Sequence, residues 1–204
     1  MRDIIKLAVF LLVTSAVAGL GVGYVNILTN PIIEEQILKA KIASFKEVYP
    51  LSDEVKDETA SYLKPDKKSL LKEINMAYRK GVPAGVLYTV ETKGYSGPIT
   101  LLAGFDIATG KLTAIKILSQ SETPGLGAKS KDKFFQERFR EKNSATPLEV
   151  TKQAPVKENQ IQAITASTIT SKAVTKGVNA AREHFLAGFG NKNSSPEKGA
   201  GKKK

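Results

Sequence analysis

Residues 99–118 read ITLLAGFDIATGKLTAIKIL, two apolar runs, Ile99 to Asp106 and Leu112 to Leu118, flanking Ala108-Thr109-Gly110-Lys111. Turn-forming residues between two strand-like runs predict a β-hairpin. Just upstream, Ile74, Met76 and Tyr78 alternate along the chain, a turn is expected from Gly81 to Gly85, and Val86, Tyr88, Val90 and Thr92 resume the alternation. A period of two puts successive side chains on opposite faces of a strand, so these segments form a second hairpin. Two consecutive hairpins predict an antiparallel sheet. With helical patterns flanking it, the class is α+β.

Toward the C-terminus comes a loop rich in small residues, SETPGLGAKS (121–130), whose Ser130 is expected to cap a short helix with Phe135 and Phe139 facing inward. After Pro147, residues 148–163 are expected to be strand and loop. The last element is a helix from Thr168 to about Ala187, with Val174, Val178, Ala181 and Phe185 on one stripe. Beyond Gly190 the composition predicts a disordered basic tail, 191–204, in which five lysines face one acid, Glu197.

Toward the N-terminus, Leu7 to Leu28 runs LAVFLLVTSAVAGLGVGYVNIL without a charge. At about 1.5 Å per residue this crosses a hydrocarbon core of about 30 Å, which predicts a transmembrane helix. Arg2 and Lys6 precede it, and Glu34 and Glu35 are the first charges after it. The positive-inside rule therefore puts residues 1–6 in the cytoplasm and everything after residue 30 outside. A cleaved signal peptide is the competing reading, since Ala16-Val17-Ala18 has the small residues of a cleavage site. The apolar run continues through Val22, Tyr24, Val25, Ile27 and Leu28, which a cleaved peptide does not require. Asn30-Pro31 is a helix-start pair, and Ile37, Leu38, Ile42, Phe45 and Tyr49 recur at near-helical spacing up to Pro50. Residues 29–72 are thus expected to be a membrane-proximal helix and a polar linker, followed by a folded domain over 73–190.

Composition narrows the chemistry. At 204 residues, 41% hydrophobic and 25% charged, the chain has room for one domain beside its anchor and tail. It has no cysteine, which excludes disulfides, thiolate catalysis, iron–sulfur ligation and zinc–thiolate sites within it, and one histidine, His184, which makes no multi-histidine metal site. Redox chemistry, if present, requires an organic cofactor. The net charge of +11 would ordinarily suit a polyanionic partner such as nucleic acid or anionic lipid. The tail supplies part of it, has no aromatic residue among its lysines and reads as a solvated terminus. The lipid bilayer, and no nucleic acid, is therefore expected as a partner. No Ser-His-Asp set, paired carboxylates at a motif or dinucleotide fingerprint appears.

Two motifs carry chemistry. Ile164-Thr165-Ala166-Ser167-Thr168-Ile169-Thr170-Ser171 places a run of hydroxyls where a helix begins. Unsatisfied backbone N–H groups and the positive end of the helix dipole suit a phosphate there, and they would stabilise the charge left on a phosphoester. The same hydroxyls can equally serve as simple caps. The other motif is Glu122-Thr123-Pro124-Gly125-Leu126-Gly127, where glycines allow close approach to a planar ligand, Pro124 stiffens the loop and Leu126 offers an apolar face.

Both motifs resemble those of the FMN-binding domains of the RnfG and NqrC families. ASTITS is similar to the flavinylation motif, S-G-A-T followed by a hydrophobic residue and Thr or Ser. Thr165 stands for the Ser, Ala166 for the Gly, Ser167 for the Ala, and Thr168 is the acceptor. ETPGLG matches a loop that lies against the flavin, although Gln120 stands where family members often carry His. Gly94-Tyr95-Ser96-Gly97-Pro98-Ile99 resembles the family's central hairpin. The resemblance implies FMN attached through its phosphate to Thr168 by a flavin transferase. It implies contacts from Glu122, Thr123, Gly125, Leu126, Gly127, Ser167, Ile169, Thr170, Ser171 and Tyr95, with Lys152 or Lys129 favouring the phosphate.

The implied function is that of an electron-relay component of a membrane-bound, ion-translocating ferredoxin:NAD oxidoreductase of the Rnf type, working with other membrane subunits. Gly19, Leu20, Gly21 and Gly23 would give the anchor a small-residue face for them. Alternatives are the NqrC component of a Na+-translocating NADH:quinone oxidoreductase, a stand-alone flavinylated extracellular electron carrier, and, outside redox chemistry, a basic membrane-tethered binding module. Covalent flavin separates the last from the rest.

Overall fold

The computed structural model describes residues 2–63, 66, 68–153 and 157–190. These fall into two units, one ending at Ala43 and the other starting at Ser44. Helix α1 is Arg2–Val48, and its last turn belongs to the second unit. The basic tail lies outside the described residues.

In the first unit, the helix is long and apolar enough to cross a membrane. Its large apolar side chains are exposed, Leu12, Leu20, Val22 and Ile27 by 69–75%, which in water would forfeit their burial energy and in lipid would not. The chain does not restart a helix at Asn30-Pro31, because α1 runs through Pro31. Thr29, two residues earlier, turns its hydroxyl back onto the Val25 carbonyl, a local bond that keeps it within the helix.

The second unit is built on a six-stranded sheet in sequence order, every pairing antiparallel: β1 Glu54–Asp57, β2 Leu71–Arg79, β3 Val82–Lys93, β4 Pro98–Asp106, β5 Lys111–Gln120 and β6 Lys142–Asn143. Both expected hairpins form. The first turns more tightly than expected, at Lys80-Gly81, with φ of 51° and 76°, so that β3 begins at Val82. Two consecutive positive-φ residues match the right-handed twist of the flanking strands. Gly85 sits inside β3 because a side chain there would meet the Tyr49 ring, 2.6 Å from its Cε2.

A helix covers each face of the sheet within this unit. On one face α4, Thr168–Gly188, lays Val174, Val178, Ala181 and Phe185 against β3 and β4, all four essentially inaccessible. On the other, Phe45, Val48 and Tyr49 pack with Ala77, Leu87, Leu102 and Ala114. Burial on both faces explains why Leu87 in β3 and Leu102 in β4 are apolar at positions that a one-sided sheet would turn to water. Each fully buried large side chain contributes about 1.5–3 kcal/mol.

Two local expectations change. The polar stretch after Pro50, expected as a linker, contributes a strand, since β1 pairs along β2 before a short helix α2, Thr59–Tyr62. Ser130 does not cap a helix: it is wholly buried in a 3-10 turn, Gly127–Lys131, and Asp132 precedes α3, Lys133–Gln136. Phe135 and Phe139 nevertheless face inward. The 148–163 stretch is strand and loop as expected, with β7 Glu149–Thr151 and β8 Gln160–Gln162 forming a separate parallel pair.

Candidate functional site

The first residues of α4 are set by the turn before it. Ala166 takes a left-handed conformation, φ 61°, at the position that the flavinylation motif fills with glycine. Ser171 then staples the turn, its hydroxyl donating to the Ser167 carbonyl and accepting from the Ile164 amide, both at 2.9 Å. Ser167 precedes the helix but its side chain caps nothing, and the first helical bond is Ser171 N–H to the Ser167 carbonyl. The amides of Thr168, Ile169 and Thr170 therefore open the helix with no partner among the described residues. A 21-residue helix with three open amides is a ready anion site.

These amides border a cavity of about 430 Å3 lined by Tyr95, Glu122, Thr123, Leu126, Gly127 and residues 166–170. That volume falls within the roughly 300–1,000 Å3 of small-molecule sites. Three loops distant in sequence thus converge, as both motifs require. Tyr95, Leu126 and Ile169 leave much of their apolar surface open at this cavity, Tyr95 being 71% exposed. Thr168, half-buried, makes no hydrogen bond through its hydroxyl to any described residue.

Glu122 is the internal brace. It is buried, with Oε1 accepting the Tyr95 and Ser96 amides, each at 2.9 Å, and Oε2 accepting the Thr170 hydroxyl. Burial alone would raise its pKa, but the hydrogen bonds from Thr170 and from the Ser96, Tyr95 and Gly97 amides outweigh that and hold the carboxyl below its ordinary range. Gln120 accepts the Glu122 amide and so fixes the start of the ETPGLG loop. Gly127 has to lack a side chain, since a Cβ would collide with Glu122 Oε2 and lie 2.6 Å from Thr170 Oγ1.

Of the residues singled out from sequence, Thr168, Glu122, Thr123, Leu126, Gly127, Ser167, Ile169, Thr170 and Tyr95 come together at the cavity. Gly125 forms the loop's tip with φ 78°, Ser171 is buried beneath the turn, and Lys152 and Lys129 lie off the cavity wall. Among the described residues the lining contains no Lys or Arg, so backbone amides and hydroxyls, not a cationic side chain, face an anion there. Sequence reading missed Ala166 as a lining residue and Gly94, where a Cβ would lie 2.5 Å from Glu122 Oε1. Alignment with the motif's glycine was the available signal for Ala166.

Comparison with known proteins bears directly on this cavity. A family model described as FMN-binding domain matches residues 94–183, the span from the Tyr95 turn through most of α4. The chain is 37% identical over 190 residues to the G subunit of the Na(+)-translocating ferredoxin:NAD(+) oxidoreductase complex of Acetobacterium woodii, covering 87% of this chain and 89% of that one.

The chain belongs to the RnfG family.

Its likeness to the Clostridium ljungdahlii protein named as the G subunit of a proton-translocating ferredoxin:NAD(+) oxidoreductase complex is 33% identity, over 89% of this chain and 91% of that one. Among solved structures, the NqrC-type component of a Na(+)-translocating NADH-quinone reductase from Parabacteroides distasonis superposes with a TM-score of 0.53 at 19% identity, covering 67% of this chain and 77% of that one. NqrC of Shewanella oneidensis gives 0.50 at 17%, covering 66% and 72%. The NqrC likeness is one of fold, whereas the likeness to RnfG proteins runs along nearly the whole sequence. The expected α+β class with an antiparallel sheet holds.

Proposed function

We propose that this RnfG protein carries FMN as a phosphoester on Thr168 and relays electrons within an ion-translocating ferredoxin:NAD oxidoreductase. The observation that supports this most strongly is the division of labour among the hydroxyls of residues 165–171. Thr170 is spent on Glu122 and Ser171 on the backbone, while Thr168 presents an unengaged hydroxyl at the cavity beside three open helix amides. Those amides would hold the phosphoester charge without a cation. The apolar parts of Tyr95, Leu126 and Ile169 would flank the ring system. FMN bound there supplies reversible one- and two-electron transfer, and the chain supplies its position and surroundings.

A phosphoester to the chain keeps the cofactor on a domain that α1 holds at the membrane. By its flanking charges, that domain lies on the outer side with residues 1–6 in the cytoplasm. Loss to bulk solvent would otherwise be irreversible there. Maturation then requires a flavin transferase, and electron exchange requires the other membrane subunits. The test is intact mass of the full chain produced with a flavin transferase, together with flavin fluorescence of the denatured band. One FMN per chain is expected, lost in Thr168→Val and kept in Thr168→Ser. A wild-type chain weighing no more than its polypeptide refutes the proposal, and an FMN that survives Thr168→Val moves the attachment to Thr165 or Thr170.

A further inference from the structure

The FMN cavity has two walls with no covalent closeness. One is the Tyr95-Ser96 turn between β3 and β4, the other the N-terminal turn of α4, more than seventy residues later. A single carboxylate joins them, because Glu122 takes two amides from the first wall and the Thr170 hydroxyl from the second. Both of its oxygens are thereby occupied by the chain itself. Gly94 and Gly127 lie against these oxygens so closely that neither tolerates a Cβ without displacing the carboxylate. Glu122 thus turns both oxygens to the chain and is itself buried, although it lines the cavity.

We propose that Glu122 is a positioning residue, not a flavin ligand: it sets the separation of the Tyr95 turn from the helix that carries Thr168, and through that the confinement of the attached flavin. This rests on the reading of Thr168 as the FMN acceptor. The carboxylate suits the task because it accepts several hydrogen bonds at once while the helix N-terminus favours its charge. An amide in its place can still accept from the two amides and donate to Thr170 Oγ1, whereas alanine can do neither.

The experiment uses the full chain in detergent, produced with a flavin transferase, as wild type, Glu122→Gln, Glu122→Ala and Thr170→Val. Three quantities are read: intact mass, anisotropy and iodide quenching of the flavin, and amide exchange at Tyr95 and Ser96. Glu122→Ala is expected to keep one FMN, to lose anisotropy, to be quenched several-fold faster and to exchange both amides at least ten-fold faster. Glu122→Gln should restore most of each value. Thr170→Val should loosen the flavin while leaving the two amides protected, a split that general destabilisation does not produce. It also keeps the test open should the alanine variant fail to fold.

A folded, flavinylated Glu122→Ala protein with wild-type anisotropy and quenching overturns the proposal, as does a Thr170→Val protein that fails to loosen the flavin. A folded alanine variant that stays unflavinylated while the glutamine variant is labelled supports it, since the acceptor hydroxyl is then no longer presented. If neither Glu122 variant is labelled while wild type is, the carboxylate itself takes part in attachment and positioning is overturned. A dark wild-type chain defeats the FMN assignment instead, which the mass measurement distinguishes.

Discussion

Tyr49 donates its hydroxyl to Asp106 Oδ2 at 2.7 Å, with the Ala84 carbonyl oxygen 3.0 Å away, and so ties the residue after α1 to the β4–β5 turn. Burial first, and then the Asp106 carboxylate, push the Tyr49 pKa up, so the hydroxyl stays a donor through neutral and alkaline pH. On the partner side, burial would raise the Asp106 pKa, but bonds from Tyr49 and from Thr109 outweigh it and hold the carboxyl low. A hydrogen bond to a charged group is worth about 1.5–3 kcal/mol. Tyr49→Phe is therefore expected to lower stability by about 1–2 kcal/mol, read by urea unfolding of the full chain in detergent. An unchanged midpoint would mean that the bond contributes nothing in solution.

Glu122 predicts a pH dependence. Its folded-state pKa lies below the ordinary 4.5, so the stability it adds is present above that value and drains away as pH falls through the folded pKa. The stability gap between wild type and Glu122→Gln should be constant near neutrality and shrink on acidification below about pH 4.5. Asp106 is held low as well and leaves a residual acid slope in both proteins. A gap independent of pH down to the acid-unfolding limit contradicts the assignment.

Ala166 occupies the left-handed region at the turn before α4. Such a conformation costs a residue with a Cβ about 1–2 kcal/mol, partly offset by the greater unfolded-state freedom of glycine. Ala166→Gly should accordingly stabilise the chain by about 0.5–1 kcal/mol and leave the proposed attachment at Thr168 unaffected. Destabilisation, measured by the same unfolding curve, would argue that the turn has another conformation.

Phe185 stacks on Phe105 with ring centroids 4.9 Å apart and planes 18° from parallel, both rings essentially inaccessible. Phe185→Ala opens a cavity between α4 and β4 and is expected to cost about 3–5 kcal/mol. Because the head of α4 carries the site, the loss should appear also as faster amide exchange along the helix. A cost below about 1 kcal/mol would mean that this contact is not part of the core.

Local pattern made the central hairpins and the last helix legible. Alternation in Ile74 to Thr92 and the stripe Val174, Val178, Ala181 and Phe185 depend only on neighbouring residues, which is why β2 to β5 and α4 lie where the residues put them. Strand β1, Glu54–Asp57, has one apolar residue, Val55, and is a strand only because β2 offers it a free edge. Parallel pairing of β7 with β8 is likewise non-local. Ser130 has the residue type of a cap, yet packing draws it inside and leaves the position before α3 to Asp132.

The same boundary runs through the site. From the order of residues alone come the apolar N-terminal segment, the absence of thiol chemistry, and two short motifs whose identities single out Thr168 and the loop Glu122 to Gly127. These are properties of contiguous residues, and contiguous residues carry them unaided. What the tertiary structure decided is that those motifs face one cavity with the Tyr95 turn, that Thr170 is bound to Glu122 while Thr168 is not, and that Lys152 stays away. Hydrogen bonds and burial act over a few ångströms of space, and separation along the chain does not record which distant residues the sheet will bring that close.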